Sequence, residues 1–124
     1  TEVLKTRLIV VLGHESCGAV GAAMKLPENP PGHVVTLINA IKPASLVAKS
    51  ANLPKNKTLD LAIKQNVLEQ VKLLRGLEPV LSRRFDSGDV LIVGAVYNLH
   101  SGQVDFIEET IVSLPEFAKL EASR

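Results

Sequence analysis

The apolar run Leu8-Ile9-Val10-Val11-Leu12 is closed by Gly13 and followed, after a short turn, by the small residues Gly18, Ala19, Gly21, Ala22 and Ala23. A run of that length, β-branched in its middle, reads as a buried strand that is apolar on both faces, and the small residues read as the first turns of a helix. A second run of the same character, Val90-Leu91-Ile92-Val93-Gly94-Ala95-Val96, comes late in the chain, with helical patterning between the two. Two strands joined by so long a crossover pair in parallel with a right-handed connection, so the fold class is α/β.

The intervening pattern can be read piece by piece. The first helix runs through about Met24 and is broken by Pro27, Pro30, Pro31 and Gly32. Val34, Leu37, Ile38 and Ile41 recur at helical spacing, and Pro43 is expected to kink or interrupt that helix, with Ala44 to Lys49 as a second piece. Pro54 to Lys57 reads as a polar loop and Thr58 as the N-cap of a long helix reaching Arg75, with Gly76 at its C-cap. The core face of that helix is Leu59, Ala62, Ile63, Val67, Val71 and Leu74. A helical turn near Pro79 to Arg84, a turn at Asp86-Ser87-Gly88-Asp89, the strand Val90 to Val96, a tight turn at His100-Ser101-Gly102, a strand Gln103 to Ile107 and a short helix after Glu108 complete the expectation. The last strand follows its neighbour through a short loop, so it is antiparallel at the sheet edge.

The 124 residues, 46% of them hydrophobic, suffice for one domain with an ordinary core. A net charge of +1 with dispersed Lys and Arg argues against a nucleic-acid or anionic-membrane footprint. Arg83-Arg84, the sole basic doublet, reads as a solvated helix end. One cysteine forms no internal disulfide and suits a reducing compartment. With no apolar stretch of membrane-span length and no signal-like opening, a soluble, cytoplasmic protein is expected.

That cysteine, Cys17, sits in the turn after the first strand, three residues beyond His14. Imidazole and thiolate at this spacing can aim at one point and suit zinc, although a zinc site needs three or four protein ligands and a lone cysteine more often packs as a small hydrophobe. Other readings of the turn fare worse. No Gly-Lys-Ser/Thr follows for a Walker loop, Gly13, Gly18 and Gly21 do not fit Gly-x-Gly-x-x-Gly, and Ala23 stands where a phosphatase-type cysteine loop needs arginine. A Cys17–His14 nucleophile pair lacks an identifiable residue to orient the histidine. His33 and His100 read as surface residues and Tyr97 as a core residue.

Gly13-His14-Glu15-Ser16-Cys17-Gly18-Ala19-Val20 resembles the Gly-His-x-x-Cys-Gly-Ala-Val signature of the β-class carbonic anhydrases. The stretch Val90 to Phe106 is similar to that family's late strand, turn and final strand, and Ala62 to Val67 to its helix containing Asn-Val. The resemblance implies that His14 and Cys17 are two of three protein ligands to a catalytic zinc, that the Gly18 N–H helps hold a substrate oxygen, and that the reaction is reversible hydration of carbon dioxide to bicarbonate. It assigns Glu15 and Ser16 no role. The family's other zinc cysteine belongs to an upstream Cys-x-Asp-Ser-Arg motif. Asp86-Ser87 does not supply it, because Arg84 stands where that cysteine belongs and Gly88 where the arginine belongs.

The chain is therefore expected to be a truncated β-carbonic anhydrase-like domain, incomplete at its N-terminus: a mainly parallel sheet with an antiparallel edge strand and flanking helices, three strands where the family has about five. Alone it is expected to be inactive, and a non-catalytic structural or regulatory subunit is the alternative. The strand Leu8 to Leu12 would keep an unpaired edge, which predicts a homo-oligomer, specifically a two-fold dimer.

Overall fold

The computed structural model describes residues 5–25, 32 and 34–115. Its elements are β1 (Leu8–His14), α1 (Gly18–Lys25), α2 (Val35–Lys49), α3 (Lys55–Arg75), α4 (Leu81–Asp86), β2 (Leu91–Tyr97), β3 (Val104–Phe106) and α5 (Glu108–Val112). The strands form one sheet in the order β1-β2-β3. β1 and β2 are parallel, with Leu8 opposite Leu91 and His14 opposite Tyr97, and β3 is antiparallel to β2, with Ala95 opposite Phe106. This is the arrangement that the two apolar runs predict.

The long helix α3 packs on one face of the sheet, and two glycines let it come close. A methyl group on Gly13 would stand 2.7 Å from Val67 Cγ2, and one on Gly94 would stand 2.6 Å from Val67 Cγ1. Val67 and Val71 continue into a cluster with Phe85, Val90, Ile92, Val93, Ile107 and Leu114. Ala62 and Ile63, earlier on the same helix, join Val20, Ala23, Ile38, Ile41 and Ala48 of α1 and α2 in a second cluster.

β1 is half-buried rather than buried on both faces. Ile9 and Val11 pack against the core, whereas Leu8, Val10 and Leu12 are 53%, 38% and 54% exposed. Side chains alternate across a strand, so only the set facing α3 is covered. The backbone alternates as well. The Leu91 N–H donates to the Arg7 carbonyl and the Glu15 N–H to the Tyr97 carbonyl, so odd-numbered residues of β1 turn their polar groups towards β2. Leu8, Val10, Leu12 and His14 turn theirs to the open edge.

Three local expectations are corrected. α2 runs unbroken through Pro43; a proline has no N–H to donate within the helix, and Pro43 lies on an exposed part of α2, where the loss costs least. Thr58 is not the N-cap of α3, because Pro54 starts that helix and absorbs the expected loop into its first turn. The Thr58 hydroxyl instead lies 3.0 Å from both the Leu53 and Pro54 carbonyls. Gly76 does cap α3, but at a negative φ of −96°. The left-handed glycine is Gly88 after α4, where the Gly88 N–H donates to the Phe85 carbonyl and the Asp89 N–H to the Arg84 carbonyl. That double bond pattern is a Schellman motif, and it launches β2.

Arg75, at the end of α3, ties the late elements together. Its guanidinium donates to the Ile92 carbonyl from Nε at 3.0 Å, and from other nitrogens to the Thr110 carbonyl and the Ser113 hydroxyl, while stacking 4.4 Å from the Phe85 ring centroid. Burial lowers its pKa. No helix among the described residues is long and apolar enough to cross a membrane.

Candidate metal centre

Three residues convert a strand into a helix at the C-terminal end of β1. The Glu15 N–H donates to the Tyr97 carbonyl at 3.1 Å and carries the ladder one step past His14. Ser16 then takes a left-handed conformation at φ +54°, unusual for a residue with a side chain, and turns the chain back. The Gly21 N–H donates to the Cys17 carbonyl at 3.0 Å, which opens α1 directly after Cys17. His14 thus ends a strand and Cys17 precedes a helix.

His14 is exposed and Cys17 half-buried, its free thiol among the residues packed on the α1–α2 cluster. The ring of His14 is oriented by its own neighbour: Nδ1 lies 2.9 Å from the Glu15 carbonyl oxygen. A carbonyl can only accept, so Nδ1 is the donor, and Nε2 lies on the far side of the ring from that contact. Zinc-binding histidines are commonly held in this way. An available imidazole nitrogen beside an unpaired thiol fits zinc as a partial donor set.

Gly18 is the first residue of α1, and among the described residues no atom from another element lies within 4 Å of the position that a side chain there would take. Its N–H is one of the first-turn donors for which a helix has no internal acceptor.

The set is incomplete. Among the described residues, no group of three or more His, Cys, Asp and Glu side chains could hold a metal ion. His100 is exposed in the turn after β2, where its N–H and that of Ser101 donate to Asn98 Oδ1. His33 lies outside the described residues. Tyr97 is half-buried at the end of β2 rather than in the core. Glu15 and Ser16, given no role by their side chains, act through their backbone as the ring acceptor and the reversal. No residue-type signal could have marked them.

A family model described as carbonic anhydrase matches residues 1–104 of the chain. A carbonic anhydrase of Mycolicibacterium smegmatis is 37% identical over 106 residues, which is 83% of this chain and 50% of that protein. The chain spans about half the length of the curated relatives it matches. Among solved structures, the Coccomyxa β-carbonic anhydrase in complex with acetazolamide superposes on 98% of this chain and 59% of its own, with a TM-score of 0.76 at 23% identity. One of two tetrameric β-carbonic anhydrases from Sordaria macrospora covers 86% of this chain and 54% of its own, with a TM-score of 0.72 at 19% identity.

Proposed function

The chain belongs to the carbonic anhydrase family, in its β class, and on that premise we propose that it supplies the His14–Cys17 part of a zinc site for the reversible conversion of carbon dioxide and water to bicarbonate and a proton. The observation that carries the proposal is the His14 ring, fixed through Nδ1 so that Nε2 faces away from the backbone at the turn that also bears Cys17. When bound, zinc acidifies the attacking water and neutralises developing negative charge. The chain's own residues hold and orient: His14 and Cys17 as ligands, the Gly18 N–H as a donor to a substrate oxygen.

The described residues do not supply a third ligand. The open edge of β1 ends at His14, so a strand added there would run beside the ligand pair. An acceptor also waits for a donor: Asn66 Oδ1 is buried without a hydrogen-bond partner among the described residues, an arrangement that costs about 1–3 kcal/mol. Both features fit completion by a further segment, in the same polypeptide or another. On this reading the protein is cytoplasmic, where the Cys17 thiol stays reduced, and assembles as a homo-oligomer, a two-fold dimer, through β1.

The second reading, a non-catalytic structural or regulatory subunit, draws on the incomplete donor set among the described residues. Zinc content and stopped-flow carbon dioxide hydration separate the two. The chain alone should show no hydration at an enzyme-like rate. Adding the polypeptide that corresponds to the other half of its relatives should restore stoichiometric zinc and turnover, and both should disappear with His14→Ala or Cys17→Ser. Turnover that survives either substitution would place the metal elsewhere, and a folded, complemented assembly without zinc would favour the subunit.

A further inference from the structure

A cleft of about 820 Å³ lies between the last turn of α1, the α2–α3 connection and the first turn of α3. Its size falls in the range of small-molecule sites, roughly 300–1,000 Å³. Met24, Leu53 and Leu59 give it an apolar surface, Lys25, Lys49 and Lys55 stand around that surface, and none of the described lining residues is acidic. The Lys49 ammonium donates to the Met24 carbonyl, which fixes one cation on the cleft wall.

The start of α3 is electrostatically unfavourable as it stands. The helix begins at Lys55 with no side-chain cap and no acidic residue in its first turn, and Lys55 and Lys57 place positive charge where the helix dipole is already positive. The same corner leaves Leu53 44% exposed. A small inorganic anion would answer the charge and leave the apolar surface wet. A neutral hydrocarbon would do the reverse.

We propose that this cleft binds an anionic amphiphile, a carboxylate carrying an apolar chain, with its head among Lys25, Lys49 and Lys55 and its tail over Met24, Leu53 and Leu59. The site is separate from the metal-ligand turn and does not depend on the carbonic anhydrase reading. Charge and apolar surface act on the two ends of one ligand, so each can be removed alone.

Isothermal titration of the chain with dodecanoate below its micelle concentration tests the proposal, with dodecyltrimethylammonium and butyrate at matched concentrations. Dodecanoate should bind with one-to-one stoichiometry, and both controls should bind at least about tenfold more weakly, because each lacks one half of the recognition. Lys55→Glu should weaken dodecanoate about tenfold yet raise the thermal unfolding midpoint, since glutamate suits the first turn of a helix. Binding lost while stability is gained cannot come from unfolding. Leu53→Gln should also weaken binding, and Val112→Asp, at an exposed position of α5, should leave it unchanged. Equal affinity for the ammonium amphiphile, indifference to Lys55→Glu, or loss of binding on Val112→Asp would each overturn the proposal.

Discussion

Val67 occupies the space that a side chain on Gly13 would need, with its Cγ2 methyl 2.7 Å from where the first carbon would stand. Val67 is buried and β-branched, so it cannot swing aside as a flexible chain end could. Gly13→Ala should therefore destabilise the fold by about 1–3 kcal/mol through overpacking. Gly21 has nothing within 4 Å of the same position and lies inside α1, so Gly21→Ala should be neutral or stabilise by about 0.5–1 kcal/mol. Urea unfolding of the two variants measures the contrast.

The buried Thr110 hydroxyl accepts the Gly94 N–H at 3.0 Å and donates to the Ile107 carbonyl at 2.7 Å. It takes over a donor of the central strand just beyond the register that β3 can reach. Thr110→Val keeps the shape and orphans the Gly94 amide, at a cost of about 1–3 kcal/mol, and Thr110→Ser should recover most of it. Hydrogen exchange at the Gly94 amide should accelerate in the valine variant and not in the serine variant.

Arg75 offers a test of geometry against charge. Its nitrogens reach the Ile92 and Thr110 carbonyls and the Ser113 hydroxyl from one planar group. Lysine keeps the charge but not the fork, nor the stack on Phe85. Arg75→Lys should cost about 2 kcal/mol, on the scale of one or two lost charge-assisted hydrogen bonds. A lysine variant as stable as the original in denaturant would show that charge alone suffices.

Val10 directs its N–H to the open edge of β1, so Val10→Pro removes a donor that the β1–β2 ladder does not use. Sedimentation should show weakened self-association of this variant, with β1–β2 amides still protected from exchange. Lys57→Ala, on the first turn of α3, should associate as the original does. A chain that sediments as a monomer at micromolar concentration before any substitution would remove β1 as the interface.

The pairing of strands was readable because the two apolar runs differ so plainly from everything between them. What the runs could not disclose was coverage: Leu8, Val10 and Leu12 are as apolar as Ile9 and Val11, and hydrophobicity alone does not tell which face finds a neighbour. Pro43 and Thr58 misled because proline and threonine stop or start helices by local rules, whereas the exposed setting of Pro43 and the conformation of Pro54 decided the outcome. The proposed ligands His14 and Cys17 were singled out by residue type and spacing, and the structure puts them at the two ends of one strand-to-helix turn. The backbone devices that orient them, the Glu15 carbonyl and the left-handed Ser16, leave no trace in side-chain chemistry. Arg75 passed as one more basic residue at a helix end because its partners are carbonyls distant in sequence.

The sheet is also asymmetric in a way that gives it a direction. On one side of β2 the three-residue strand β3, the Thr110 hydroxyl and the Arg75 guanidinium take up its polar groups. On the other side β1 presents four residues whose donors and acceptors face outwards, the last of them His14. A chain that extends this sheet at β1 joins beside His14, and the proposed ligand pair lies along that seam. Zinc affinity should then report on assembly, and assembly on zinc, because both are consequences of closing one edge.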